Sequence, residues 1–257
     1  MAADGNAGWQ KYGPAIVGCT VIAAAIAIIE LLIRVDLISR FVMPMPSEIA
    51  VSFERIIVEE NIPRRFLLTA GECLGAGILV TLVGISLGAL LHRLPLLRQA
   101  TETWVGALAA APTVLMYPLF MVIFGRNATT IIMMGFAAGL APVILKTVEG
   151  LSGARRVLIN VGRSFNLTDR QLFWKILLPA ALPTIFVGIR LGLIFALINV
   201  VGVEFLINFG GLGQLVSELA ERYDLPGTYA TICFVILISV LFFMAMEKAE
   251  RWLRPGA

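Results

Sequence analysis

The sequence predicts an all-α, polytopic membrane protein with about six transmembrane helices, and three observations predict it. Of the 257 residues, 59% are hydrophobic and 14% charged, with a mean hydropathy of +0.91. A soluble domain of this length holds about a quarter charged residues. Six stretches, roughly 14–34, 66–91, 103–124, 128–148, 181–206 and 227–247, are apolar over a spanning length, since a helix needs about 20 residues to cross the hydrocarbon. No run shows the sustained period-two alternation of a spanning strand, and an open sheet edge cannot sit in lipid.

Each element has a local reason. The first apolar run, from position 14, is longer than a signal-peptide core and reads as an uncleaved anchor after a short 1–13 segment. In the connection 35–65, Met43-Pro44-Met45-Pro46-Ser47-Glu48 leads into a short helix, with Ser47 expected as its cap before Ile49, Ala50 and Phe53. Pro112 and Pro118 in the third span and Pro142 in the fourth each leave a carbonyl without its helical donor and mark bends. The pairs Gly71/Gly75, Gly84/Gly88, Gly135/Gly139 and Gly188/Gly192 place small residues four apart, which lets helices approach closely. Packing within the subunit is the favoured reading of these pairs, with a dimer seam as the other.

The connection 150–180 reads as two short helices joined by a tight turn. Val157, Leu158, Val161 and Phe165 recur at three- and four-residue steps while Arg155, Arg156 and Arg163 stay available to water. Asn166 can stop the first helix, because asparagine tolerates the left-handed conformation. Thr168 followed by Gln171 is a capping-box signature for the second. Leu172, Phe173, Ile176 and Leu177 give that helix an apolar face, and Pro179 ends it or bends it into the next span.

Charge orients the chain. With both termini inside, the inner segments hold twelve basic residues: Lys11, Arg93, Arg98, Lys146, Arg155, Arg156, Arg163, Arg170, Lys175, Lys248, Arg251 and Arg254. The outer segments hold seven: Arg34, Arg40, Arg55, Arg64, Arg65, Arg126 and Arg222. The bias places 150–180, with the 1–13 segment and the 248–257 tail, in the cytoplasm, and leaves 35–65 and 207–226 outside.

Three ionisable residues fall within spans. Arg190 lies several residues inside the fifth span, Glu204 near its far end and Glu72 early in the second. Such groups face a bundle interior or an aqueous path, although Glu72 and Glu204 can sit at the interface and Arg190 can snorkel. Arg190 and Glu204 are the candidate pathway or gating residues, with packing or topology as the other reading. The only histidine, His92, is at a span end, and Cys19, Cys73 and Cys233 lie within spans as small apolar residues. No metal site or disulfide framework is expected.

The 150–180 connection resembles the E-A-A-x3-G-x9-I-x-L-P loop of permease subunits in binding-protein-dependent ABC importers. Asn160, Val161 and Gly162 fall on E-A-A, Asn166 on the glycine, and Ile176, Leu178 and Pro179 on the end. The acid, the first alanine and the glycine are replaced, so the loop is a degenerate copy. Pro112, Tyr117-Pro118-Leu119 and Phe124-Gly125 resemble the family's third span and its outer turn. Gly188-Ile189-Arg190-Leu191 and Glu204 resemble its fifth span, and Gly211-Leu212-Gly213 resembles the G-L-G after that span. The resemblance covers about residues 40–250 and is to the subgroup importing sulfonates, taurine, nitrate and thiamine precursors.

The resemblance implies a type I ABC importer permease fold in the bacterial inner membrane, embedded in the lipid bilayer, with a second permease subunit completing the pathway, most simply as a homodimer. It implies ABC ATPase subunits on the inner loops and a periplasmic binding protein outside, the transported solute being a small anion such as a sulfonate, taurine or nitrate, with a pyrimidine precursor as the second choice. The ATPase-coupling loop would comprise Leu158, Asn160, Val161, Gly162, Arg163, Asn166, Thr168, Ile176, Leu178 and Pro179. The chain has no G-x4-G-K-[ST] phosphate loop, so no enzyme activity or cofactor of its own is expected, and ATP and Mg would be bound by the partner ATPase. No nucleic-acid partner is expected. An ion-coupled secondary transporter and a non-transport membrane scaffold remain alternatives.

Overall fold

The structure, a computed structural model, describes the backbone of residues 4–253 and the side chains of 13, 14 and 16–250. Three charges that bear on orientation, on Lys11, Arg251 and Arg254, lie outside that side-chain description. The described residues form helices and turns and no strand.

In chain order the helices are α1 (Asp4–Arg34), α2 (Pro46–Glu59), α3 (Ile62–Arg93), α4 (Pro95–Ala110), a 3₁₀ turn (Thr113–Met116), α5 (Tyr117–Phe124) and α6 (Ala128–Ser152). They continue as α7 (Arg156–Ser164), α8 (Asp169–Leu172), a π-helical turn (Phe173–Leu177), α9 (Leu178–Ile207), α10 (Gly211–Glu221) and α11 (Leu225–Leu253). Five helical stretches are long and apolar enough to cross a membrane.

The expected third span, 103–124, is not one helix. α4 and the Thr113–Phe124 stretch meet at a 91° break, and counting that pair as one broken span gives a sixth crossing. Pro112 sits at the break, whereas Pro118 lies in the first turn of α5, where its missing N–H has no helical partner to lose. Pro142, by contrast, does not interrupt α6. Ser47 is not the cap of α2. The helix starts at Pro46, the Glu48 carboxylate accepts from the Met45 N–H at 3.0 Å, and Ser47 turns both its N–H and its hydroxyl to Glu30 of α1.

The core of the bundle is α6 packed on α9 and α3. Ala76, Ile131, Met134, Ala196, Val200, Val203 and Ile207 form its buried cluster. Close approach is what the glycines supply: a Cβ on Gly139 would lie 2.5 Å from the Gly192 carbonyl oxygen, and one on Gly192 would lie 2.7 Å from that of Gly139. Helix backbones touch there, so dispersion does the holding where lipid removes any hydrophobic advantage. Of the eight paired glycines, only Gly71 faces open space, which settles the others as packing within the subunit.

The two ends of this bundle differ. One carries α7 and α8, between α6 and α9. The other carries α2, α10 and the loops after α1, α5 and α9. There Arg126 caps the end of α9, donating to the Ile207 carbonyl at 2.7 Å and also to that of Asn208, carbonyls the helix itself cannot satisfy. α1 stands apart, its main contact being with α2.

Candidate functional site: an exposed helical hairpin and a buried carboxylate clasp

The α7–α8 hairpin forms for the local reasons read from sequence. Asn166 takes a left-handed backbone, φ 51°, and the Asn166 and Leu167 N–H groups close α7 onto the Arg163 and Gly162 carbonyls at 2.9 and 3.1 Å. Thr168 and Gln171 cap α8 reciprocally, Gln171 N–H to the Thr168 hydroxyl at 3.3 Å and Thr168 N–H to the Gln171 side chain at 3.0 Å. α7 covers 156–164, so of the residues expected to form the coupling loop Leu158, Asn160, Val161, Gly162 and Arg163 are helical, and Asn166 and Thr168 lie in the turn.

Gly162 is buried where α7 crosses the following segment. A Cβ there would come within 2.6 Å of both the Leu172 and Ile176 terminal methyls, so any side chain at this position would displace them. The chain does not stop at Pro179: it widens into a π-helical turn at Phe173–Leu177 and runs on as α9. A wide turn is a standard way to carry a helix past a residue that cannot donate. Ile176 and Leu178 face partly inward, and Phe173 is rooted in the bundle with Leu151, Ala181 and Ile185. The Arg93 guanidinium of α3 lies 4.7 Å over the Phe173 ring.

The other face of the hairpin is bare. Val157, Leu158, Val161, Phe165 and Trp174 are exposed, Phe165 by 77%, while Arg155, Arg156, Arg163 and Arg170 surround them with charge. The exposed apolar residues of this segment thus alternate along the chain with exposed arginines.

Glu204 is fully buried at the opposite end. Its carboxylate accepts from the Thr69 hydroxyl at 2.7 Å and from the Gly213 N–H at 2.8 Å, and the Thr69 oxygen accepts from the Leu212 N–H at 2.9 Å. One carboxylate thus ties α9, α3 and the start of α10. Gly211 and Gly213 are forced by this closeness, since a Cβ on either would strike Glu204. The Glu72 carboxyl adjoins that of Glu204, and no donor reaches its Oε2.

Arg190 is far from this clasp. Its Nη1 lies 2.8 Å from Glu250 Oε2 on α11, and its guanidinium sits over Phe243. The two candidate pathway residues therefore fasten different parts of α9 to different helices and do not form one site. Sequence reading missed Thr69, Glu250 and a third polar contact, Thr113 to Asn199 at 2.9 Å, which ties the break after α4 to the second half of α9. Asn199 was visible as the only amide inside the fifth span, and Thr113 as the residue after Pro112.

A cavity of about 740 Å³ between α3, α9 and α11 is lined mainly by apolar side chains such as Phe66, Leu197, Val235 and Phe242, with the hydroxyls of Thr69, Thr81 and Ser239 and no charged group. It offers no cationic group to an anion. His92 bonds Ser152 at 3.2 Å, and the three cysteines are free.

Residues 80–255 match the family of binding-protein-dependent transport system inner membrane components. The chain is 26% identical over 215 residues to the formylaminopyrimidine transport permease protein ThiX of Halalkalibacterium halodurans, covering 82% of this chain and 85% of that protein. It is 27% identical over 174 residues to the taurine transport system permease protein TauC of Escherichia coli, covering 68% of this chain and 63% of that one. The fold matches a chain of the inward-facing methionine ABC transporter MetNI with a TM-score of 0.67 at 19% identity, covering 75% of this chain and 96% of the other. The broken third span, the glycine-crossed core and the hairpin between the fourth and fifth spans are thus a type I importer architecture, and the chain belongs to the binding-protein-dependent transport system inner membrane components, as a multi-pass ABC permease.

Proposed function

We propose that this chain forms the translocation pathway of an ATP-driven importer for a small solute, and that α7 is the helix on which the partner ATPase acts. The carrying observation is the bare apolar face of α7 and Trp174, ringed by arginines and rooted through Gly162 and Phe173 into α9. The termini and the hairpin lie in the cytoplasm in this reading, in keeping with the basic bias, and α10 faces outside, where a binding protein delivers solute. ATP and Mg belong to the ATPase.

A push on α7 would travel through the Gly162 crossing to Ile176 and the π-helical turn, and from Phe173 to Arg93 on α3. α9 then carries the displacement to the Glu204 clasp, where gating of the outer end takes place. Arg190 holds the inner half of α9 to α11 during that movement. Asn160 replaces the family's usual acid, so the ATPase contact rests on shape and hydrogen bonding at that position. A homodimer completes the pathway, and a small anion such as taurine, another sulfonate or nitrate is the solute class, in line with the taurine permease among its relatives.

The test is to tag the C-terminus, purify from the native host in mild detergent and identify partners by mass spectrometry. A stoichiometric ATPase is the expected result, and its companion binding protein then reports the solute. A clean preparation without an ATPase would overturn the reading in favour of a secondary transporter.

A further inference from the structure

Five non-glycine residues among those described hold a left-handed backbone: Asp36, Asn61, Asn166, Asn208 and Tyr223. The first four are the short polar types that tolerate it. Tyr223 does not belong to that class. It sits at φ 59° in the turn from α10 to α11, its N–H bonding the Ala220 carbonyl and the Asp224 N–H bonding that of Leu219, both at 3.0 Å. This is the helix-ending position that glycine normally takes.

The ring gains nothing from the fold in return. It is 89% exposed, and its hydroxyl has no hydrogen-bond partner among the described residues. The turn is fixed by its neighbours: Arg222 pairs with Glu60 at 3.0 Å and Asp224 pairs with Arg55, both partners coming from the α2–α3 corner. Two ion pairs clamp the backbone on either side and leave the ring projecting. Strain kept where a cheaper residue would fold as well points to a use for the side chain. The flanking Glu221, Arg222 and Asp224 put that use in water and not in lipid. The end is the one opposite α7, and tyrosine is enriched among the residues that anchor protein interfaces.

We propose that Tyr223 is a protruding anchor on which the solute-delivering binding protein seats, an inference that rests on the permease reading above. The test uses the complete complex in lipid nanodiscs, with the ATPase and the binding protein from the same host, measuring ATP hydrolysis against binding-protein concentration. Tyr223→Gly and Tyr223→Asn, both suited to the left-handed position, are expected to melt no lower than the parent and to keep its basal hydrolysis. Their half-saturating binding-protein concentration is expected to rise roughly 10-fold, while Tyr223→Phe stays near the parent. An unchanged half-saturating concentration in the glycine and asparagine variants overturns the proposal. So does a loss of melting temperature in nanodiscs with stimulation unchanged, which makes the ring a lipid anchor. Absence of ATP hydrolysis in the parent complex would instead overturn the permease reading itself.

Discussion

At the α7 end the hairpin is shaped by residues close in sequence. The Thr168–Gln171 cap joins positions three apart, and Gly162 meets Leu172 and Ile176. At the α10 end Thr69 reaches Glu204 across 135 positions, Arg65 reaches Glu218 across 153 and Arg222 reaches Glu60 across 162. The first end is a local motif with an unfinished apolar surface, and the second is a long-range polar knot in which Glu204, Glu218 and Glu60 are each paired, with Glu72 Oε2 left without a donor and Tyr223 projecting at the same end. A part that meets a changing partner keeps its contacts free, whereas a part that must hold helices in register satisfies its polar groups internally.

Gly162 is where the α7 end is most sensitive to substitution. Gly162→Glu puts a charged side chain into the crossing with Leu172 and Ile176, so uptake is expected to fall to background, on the order of 100-fold or more, while membrane insertion measured by fractionation stays intact. Normal uptake would remove α7 from any coupling role. Glu204→Ala attacks the other end: the Gly213 N–H and Thr69 hydroxyl lose their buried acceptor, a loss of about 3 kcal/mol, to be read as a lowered melting temperature in detergent. Little change would mean that the clasp does not hold α9 to α10.

Phe165→Ala sharpens the contrast, because so exposed a ring contributes nothing to the fold. Its melting temperature is expected to match the parent while ATPase association weakens roughly 10-fold; a destabilised protein with intact association would reverse the assignment. Smaller is the coupling between Arg190 and Glu250. A double-mutant cycle with Arg190→Met and Glu250→Gln is expected to give about 1 kcal/mol, measured by thermal melts, and additivity would show the pair to be incidental. Smallest is Asn166→Gly, which relieves a left-handed backbone by less than about 1 kcal/mol. A loss of stability there would mean that the asparagine side chain holds the turn.

Much of the α7 end was legible because its signals are carried by adjacent residues. Asn166 as a stop, the Thr168–Gln171 box and the apolar spacing of Val157, Leu158, Val161 and Phe165 all refer to backbone groups within a turn or two. The passage through Pro179 was not, since a π-helical turn depends on the packing that roots Phe173. Ser47 was misread as a cap because its competing partner, Glu30, lies 17 residues away. Glu204 could be picked out as a buried acid, but nothing in its neighbourhood named Thr69.

Membrane spanning, bends at prolines and a helical hairpin between the fourth and fifth spans could all be read from the sequence, whereas which proline breaks a span could not: Pro112 does, and Pro142 leaves α6 whole. The legible features come from apolar length, missing donors and local capping, which are properties of short stretches. Only the tertiary structure decided that Glu204 closes on Thr69 and α10, that Arg190 meets Glu250 instead of snorkelling, and that Gly139 lies on Gly192. In lipid no hydrophobic gradient selects which helix faces meet, so partner choice falls to close packing and polar pairing between residues distant in the chain.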